Sequence, residues 1–161
     1  MTIAVGERLP DQTFKIMKGG QPADVRTSAI FAGRTVALFA VPGAYTPTCH
    51  LKHLPGFLAN VDAFKQKGVD EVACTSVNDI FVLTQWAKDT GSDGRILMLA
   101  DGGGAFAKAI GMDLDLGAFG LGLRSKRYAM LVKDGVVAAL NIEENAGVAD
   151  VSSAERLLEA L

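Results

Sequence analysis

Apolar and polar residues alternate along the chain in blocks that predict strands followed by helices. Residues 35–41, 71–77 and 96–100 are largely apolar runs of the kind found in strands buried on both faces. Between and around them, residues 47–67 and 79–89 carry apolar residues three or four positions apart, which indicates amphipathic helices. This alternation favours an α/β fold with parallel strands in the middle of its sheet.

Shorter patterns predict the two ends of the fold. Thr13–Lys18 alternates weakly and indicates an edge strand before a turn at Gly19-Gly20. Late in the chain, Lys133-Asp134-Gly135 separates two apolar runs, which is a β-hairpin pattern, and Ser152–Leu161 predicts a closing helix. The hairpin adds antiparallel strands, so we expect an α/β sandwich with a mixed sheet, in a single domain over residues 1–161.

Composition narrows the classes of function. The chain has 161 residues, of which 49% are hydrophobic, so it can bury a sizeable core. Its formal net charge is −2 and it has no long run of Lys or Arg, so we expect no nucleic-acid partner and no membrane surface. No stretch of 18 apolar residues predicts a membrane span. The N-terminus lacks a secretory pattern and two cysteines are too few for a disulfide framework, which favours a cytoplasmic protein.

Cys49 lies where a buried strand gives way to a helix, and two interpretations of it stay open. Thr46 is placed as the N-cap and Pro47 as the first helical residue, so Cys49 falls in the first turn. The unpaired N–H groups and the helix dipole there favour a thiolate, but they supply at most about 2 kcal/mol, so a second positive group is expected. Cys49 also lies nearly opposite the apolar stripe that begins at Leu51 and Leu54. The alternative is a small buried core residue.

Three segments in order resemble one known family. The stretch Pro42–Cys49, PGAYTPTC, resembles the P-x-x-x-T-x-x-C motif of peroxiredoxins, and VPGAYTPTCHLKHLPGF is similar to the type II, peroxiredoxin-5-like subfamily. The segments SVNDIFVLTQWAK and RSKRYAMLVKDGVV extend the resemblance over most of the chain. It implies a thioredoxin-like three-layer sandwich with a mixed central sheet and an N-terminal extension. It also implies a thiol peroxidase that acts on hydrogen peroxide and alkyl hydroperoxides without a metal or cofactor.

The resemblance implies a role for each matching residue. Cys49 is the peroxidatic cysteine, whose thiolate attacks the O–O bond and becomes a sulfenic acid. Thr46 forms a hydrogen bond with the peroxide, and Pro42 shields the thiolate from water. Arg124 is expected to supply the positive charge and to polarise the peroxide, with Arg127 as its rival.

The motifs do not specify how Cys49 is returned to its reduced state. Cys74 is either a resolving cysteine or an apolar core residue, and the expected reductants are glutathione with glutaredoxin, or thioredoxin. The family also implies a homodimer, with Phe119 and Gly120 near the active site or a dimer contact. A thiol-based redox sensor that passes oxidation to a protein partner is the second functional class.

Two histidines close to Cys49 allow other chemistries. Cys49 and His53 have the i, i+4 spacing of zinc ligands, but zinc needs three or four ligands and the sequence offers few more. A Cys–His hydrolase dyad with His50 or His53 as base is also possible in principle. We expect both histidines to be surface residues or to lie behind the residues that touch the substrate. His50 occupies a position where many relatives are expected to have serine.

Overall fold

The computed structural model describes residues 1–161 and contains one large and one small β-sheet. The strands are β1 (Thr13–Lys18), β2 (Gln21–Arg26), β3 (Thr35–Ala40), β4 (Glu71–Ser76), β5 (Leu97–Ala100), β6 (Asp113–Leu116), β7 (Gly122–Ser125), β8 (Tyr128–Lys133) and β9 (Val136–Ile142). The α-helices are α1 (Thr27–Phe31), α2 (Leu54–Ala59), α3 (Val61–Gln66), α4 (Ile80–Thr90), α5 (Ala105–Ala109) and α6 (Ala154–Leu158). None of these helices has the length and apolar character needed to cross a membrane.

The large sheet is mixed, as predicted. Its seven strands lie in the order β2-β1-β5-β4-β3-β8-β9. The strands β3, β4 and β5 are parallel, whereas β1 pairs antiparallel with β5 and β8 pairs antiparallel with β3. The β8–β9 hairpin turns at Asp134 and Gly135, which both have positive φ. The carboxyl ends of the parallel strands therefore share one edge, where side chains from distant parts of the sequence meet.

Helices cover both faces of this sheet and give three layers. Phe39 and Cys74, on neighbouring strands, face the cluster formed with α2, α3, α4 and α6. Leu38 and Ala73, one residue earlier on each strand, face the opposite cluster with α1 and α5. Because successive side chains point to opposite faces of a strand, continuous apolar runs are what two covered faces require.

The sequence patterns missed some short elements. β2 was not predicted, and because it pairs outside β1, the edge position belongs to β2 rather than to Thr13–Lys18. The small sheet of β6 and β7 and the five-residue helix α1 were not predicted either. These elements are exposed or very short, so their residues show little periodicity in hydrophobicity.

The helix after β3 contains a π-helical turn that changes which residues are buried. Helical structure begins at Pro47, as predicted, and the π-turn covers Cys49–His53, with the N–H of Leu54 donating to the carbonyl of Cys49. Such a turn has one residue more than an α-helical turn, so the face of the helix rotates. Leu51 is consequently 70% exposed, while Cys49 is fully buried in the same cluster as Leu54. The expectation that Cys49 lies opposite the apolar face is corrected accordingly.

Candidate active site

Cys49 lies beyond the carboxyl end of β3, at the start of the helix. The carbonyl of Thr46 accepts the first helical hydrogen bond from the N–H of His50 at 2.9 Å. The N–H groups of Thr48 and Cys49 find no acceptor in the protein, which leaves two donors of the first turn free next to the sulfur. The Cys49 side chain is fully buried, with 0% of its surface exposed. Cys49 is thus a buried core residue that lies at a helix terminus, and its reactivity stays a prediction.

Arg127 is the positive group that contacts the sulfur. Its Nη2 donates to Sγ of Cys49 at 2.9 Å, and only 1% of the residue is exposed. Its other hydrogen bonds go to neutral acceptors, the carbonyl of Ala146 and Nδ1 of His53, each at 2.9 Å. No carboxylate forms an ion pair with Arg127. A buried charge is unfavourable without a counter-charge, and the sulfur of Cys49 is the only acceptor of Arg127 that is neither a backbone carbonyl nor a ring nitrogen.

The structure therefore corrects the expectation that Arg124 lies against Cys49. Nε of Arg124 donates to the carbonyl of Leu121 at 2.8 Å, and its Nη1 donates to the carbonyl of Pro42 at 3.4 Å. Strand register explains the difference, since Tyr128 pairs with Ala40, the last residue of β3. Arg127 thus stands directly beside the loop that leads to Cys49. The sequence contained this signal, because Arg127 immediately precedes the apolar run YAMLV.

His53 holds the guanidinium of Arg127 from behind. Its Nε2–H donates to the carbonyl of Ser152 at 2.9 Å, which leaves Nδ1 free to accept from Nη1 of Arg127. Burial, followed by the charge of Arg127, lowers the pKa of His53 to about 3. The ring is therefore neutral at physiological pH, as its role as an acceptor requires. No group of three or more His, Cys, Asp or Glu side chains is arranged to hold a metal ion.

The segment after β9 completes the surroundings of Arg127. Its conformation depends on Glu143, which was not predicted from the sequence. The buried carboxylate of Glu143 accepts from the backbone N–H of Asp150 and from both the N–H and the hydroxyl of Ser152, at 2.7–2.8 Å. These bonds fix the loop whose carbonyls at Ala146 and Ser152 bind Arg127 and His53. In the sequence, Glu143 stands in a polar stretch and resembles an ordinary surface charge.

Thr46 and Pro42 lie in the loop between β3 and Cys49, and both line a cavity together with Arg127. The hydroxyl of Thr46 donates to the carbonyl of Gly43 at 2.7 Å, so it does not cap the helix with its side chain, although its backbone carbonyl begins the helix. Since its only proton is used in this way, the Thr46 oxygen can only accept a hydrogen bond from a ligand. A Cβ at Gly43 would lie 2.8 Å from Nη1 of Arg124, so a larger residue there would displace the end of this arginine side chain.

A cavity opens in front of this group. It has a volume of about 620 Å³, and Pro42, Thr46 and Arg127 form part of its lining. One wall is apolar and consists of Leu114, Leu116, Phe119 and Leu121, while residues 144–147 form another part. Phe119 is 78% exposed at the rim. The cavity therefore combines a charged, hydrogen-bonding floor with an apolar wall.

Cys74 lies deeper in the core. It occupies the middle of β4, between Phe39 and Met98 on the neighbouring strands, and it is fully buried. Burial first, and the proximity of Cys49 second, raise the pKa of the Cys74 thiol well above its ordinary value. Both cysteines are free thiols. Cys74 thus has the surroundings of an apolar core residue, and its resolving role stays a prediction.

Comparison with known proteins agrees with the fold. The family model described as Redoxin matches residues 4–158. Chloroplastic peroxiredoxin-2E of Arabidopsis thaliana is 47% identical over 99% of this chain and 70% of its own length, and peroxiredoxin-2D of the same plant is 43% identical over 99% and 98%. The crystal structure of reduced Prx3 from Vibrio vulnificus in complex with hydrogen peroxide superposes with a TM-score of 0.93, at 45% identity and 99% coverage of both chains.

Fold and site thus define a thioredoxin-like α/β protein of the redoxin class, and the predicted fold is confirmed. Within that class the chain belongs to the peroxiredoxin family, with relatives of type II. It is a thiol-dependent peroxidase.

Proposed function

We propose that Cys49 is the peroxidatic residue and that it reduces hydrogen peroxide and alkyl hydroperoxides in antioxidant defence. One observation carries this proposal. The guanidinium of Arg127 is buried, has no carboxylate partner, and donates a hydrogen bond to Sγ of Cys49. A thiolate is the nucleophilic form of cysteine, and a free cysteine has only a few per cent of it at neutral pH.

The proposed reaction forms one S–O bond and breaks one O–O bond. The thiolate of Cys49 attacks the terminal oxygen of R–O–O–H, so that Cys49 becomes the sulfenic acid S–OH and RO⁻ leaves. The leaving oxygen takes a proton from solvent and departs as ROH, which is water when the substrate is hydrogen peroxide. Cys49 loses two electrons and the peroxide gains them.

The residues around Cys49 orient the peroxide for this attack. The Thr46 oxygen accepts the peroxide O–H, because its own proton is held by Gly43. The free N–H groups of Thr48 and Cys49 and the guanidinium of Arg127 are donors for the peroxide oxygens, on which charge develops as the O–O bond breaks. Pro42 covers the thiolate without offering a donor of its own.

The cavity supports the inclusion of organic hydroperoxides among the substrates. Its volume of about 620 Å³ is far larger than hydrogen peroxide requires. The apolar wall of Leu114, Leu116, Phe119 and Leu121 suits an alkyl group, while the polar end of the substrate lies at Thr46 and Arg127.

External thiols are proposed to return Cys49 to the reduced state. A first thiol attacks the sulfenic acid and releases water to give a mixed disulfide, and a second thiol releases Cys49 together with a disulfide. Glutathione with glutaredoxin, or thioredoxin, can provide the two thiols. The deep burial of Cys74 supports a route that does not require it.

A homodimer and a cytoplasmic location are also proposed. Phe119 projects from the rim of the cavity with Leu116 and Leu121 nearby, and covering such a patch with a second copy removes apolar surface from water. Sedimentation of the reduced protein at micromolar concentration should show a dimer that Phe119→Asp dissociates; a monomeric wild type refutes the dimer.

The two free thiols support a cytoplasmic location, because the cytoplasm is a reducing compartment. Cell fractionation tests this, and recovery of the protein in an organelle would refute it.

Turnover separates the peroxidase from a redox sensor. With excess hydrogen peroxide and a glutathione–glutaredoxin system, the wild-type protein should consume many equivalents, because each cycle restores Cys49. Cys49→Ser should consume none, whereas the matched variant Cys74→Ser should remain active. Consumption that stops near one equivalent under every reductant would favour the sensor.

A further inference from the structure

Two residues that flank Cys49 are tied to helix α4 by side-chain hydrogen bonds. The hydroxyl of Tyr45 donates to Oδ2 of Asp89 at 2.6 Å. Nε1–H of Trp86 donates to Nδ1 of His50 at 2.9 Å. The rings of Tyr45 and His50 are stacked with their centroids 5.7 Å apart. The segment from 45 to 50, which contains Thr46 and Cys49, is thus held at both ends by one helix.

We propose that these four residues, Tyr45, His50, Trp86 and Asp89, form a clamp that sets how often the turn around Cys49 opens to a thiol reductant. The inference rests on the proposed function, in which an external thiol regenerates Cys49. The four side chains are positioning residues, since none of them touches the sulfur or lines the cavity in front of it.

Opening is required because the sulfur is inaccessible in the closed form. Cys49 is fully buried, and Nη2 of Arg127 occupies one side of it. A small peroxide can enter the cavity, but a thiol has to bring its own sulfur to about 2.05 Å from Sγ, with the bulk of a glutathione or a protein behind it. Residues around Cys49 must therefore move before the mixed disulfide forms.

The backbone of the clamped segment has unfavourable conformations. The hydrogen bonds that join the segment to other elements therefore determine whether it stays closed. Tyr45 has a φ of +65°, which is rare for a residue with a side chain, and Cys49–His53 forms the π-turn. Such conformations persist only where surrounding contacts impose them. Two further bonds, from Thr48 to Gly147 and from Ala44 to Asn78, hold the segment to other elements, so the clamp tunes its opening without being its only restraint.

The protonation states fit this role. The hydrogen bond to Asp89 raises the pKa of Tyr45 to about 12, so the phenol keeps the proton that it donates. Indole is a donor only, so Nδ1 of His50 must accept and its proton lies on Nε2. The bonds from Tyr45 and Trp86 therefore have one direction each, and a single substitution removes each of them.

The test compares variants in a Cys74→Ser background, so that Cys49 is the only thiol. Tyr45→Phe and His50→Phe each remove one bond between the segment and α4 while keeping an aromatic ring. Gln85→Met is the matched control, because Gln85 donates to the same Asp89 carboxylate but lies on α4 itself. The probe is 5,5′-dithiobis(2-nitrobenzoic acid), which Cys49 must attack to release thionitrobenzoate. Hydrogen exchange of the His50 amide, bonded to Thr46 across the turn, reports opening without any reagent.

Each clamp variant should accelerate both the release of thionitrobenzoate and the exchange of the backbone amide at position 50 by about two- to tenfold, the effect of one net hydrogen bond. In the control Gln85→Met, both rates should stay within about twofold of those of the Cys74→Ser parent. The rate at which hydrogen peroxide oxidises Cys49 in Tyr45→Phe should also stay within about twofold of the parent's rate. Unchanged thiol reaction and exchange in both folded clamp variants would overturn the proposal, and so would equal acceleration in Gln85→Met. If thermal unfolding shows that one clamp variant is not folded, the other variant decides.

These readouts use reduced protein without turnover. A wild type inactive as a peroxidase would therefore refute the proposed function and leave the clamp result standing.

Discussion

At the scale of single residues, the decisive feature is one buried guanidinium whose hydrogen-bond acceptors include no carboxylate. Ala146, His53 and Cys49 accept its hydrogen bonds, and only the sulfur can carry the compensating negative charge. The motif made Cys49, Thr46 and Pro42 predictable from the sequence. The resemblance led to Arg124, with Arg127 as its rival, and this choice was wrong because the register of β8 against β3 brings Arg127 to the loop before Cys49.

The neutral state of His53 predicts a loss of stability in acid. Its pKa is about 3 in the folded protein, whereas a histidine in an unfolded chain has a pKa of about 6.5. The unfolded state therefore binds the extra proton first, and the free energy of unfolding falls as the pH drops below about 6.5 towards 3. The contribution of His53 to this loss is at most about 1.4 kcal/mol per pH unit.

Urea unfolding at pH 6.5 and pH 5 measures this effect. The wild-type protein should lose up to about 2 kcal/mol more than His53→Gln over this interval, since glutamine has no proton to gain. Equal losses in the two proteins would show that His53 takes up its proton in the folded state as easily as in the unfolded one.

At the scale of secondary-structure elements, burial determined what could be predicted. β3, β4 and the β8–β9 hairpin follow from apolar runs and a turn signal, and the predicted bounds of β3 and β4 agree with the structure to within one residue. β2, β6 and β7 were missed because exposed strands need no apolar alternation. The π-turn was also missed, since an extra residue in a helical turn leaves no periodic mark, and this put Leu51 on the wrong face.

The loop after β9 should act on the active site through Glu143. Glu143→Ala removes the acceptor of three hydrogen bonds, so the loop that carries Ala146 and Ser152 should loosen. We expect a loss of about 1–3 kcal/mol in the free energy of unfolding, together with slower oxidation of Cys49 as Arg127 loses its orientation. Glu159→Ala, on the exposed end of the chain, is the control.

Stopped-flow oxidation by hydrogen peroxide and urea unfolding provide the two readouts for Glu143→Ala. A variant that is destabilised but oxidised at the wild-type rate would show that the loop stabilises the fold without positioning Arg127.

At the scale of the whole molecule, the sheet topology assembles a site from three distant segments. The helix after β3 provides Cys49, the residue before β8 is Arg127, and the segment after β9 holds both Arg127 and His53. The pattern of strands predicted parallel strands in the middle of the sheet, but the pairing of β8 with β3 depends on contacts between residues about 90 positions apart in the sequence. Such contacts leave no local signal.

The position of Cys74 in the core predicts how the molecule is regenerated. Cys74→Ser should keep most of the glutaredoxin-supported turnover, because a buried, protonated thiol in the middle of β4 is a poor nucleophile. Mass spectrometry after one equivalent of peroxide should show Cys49 modified without a stoichiometric bond to Cys74. A quantitative Cys49–Cys74 disulfide, with turnover lost in Cys74→Ser under every reductant, would assign Cys74 as the resolving cysteine.

The central claim is that Arg127 activates Cys49, and the second-order rate constant for oxidation of Cys49 by hydrogen peroxide tests it most directly. Arg127→Gln should lower this constant by at least about a hundredfold, the effect of removing a donor aimed at developing charge. Arg127→Lys should recover part of the loss, because it keeps the charge but not the fork that binds Cys49, His53 and Ala146 together. Arg124→Gln should lose less than about tenfold, since Arg124 contacts only the backbone at Pro42 and Leu121. Equal losses in folded Arg124→Gln and Arg127→Gln, or a larger loss in Arg124→Gln, would contradict the account.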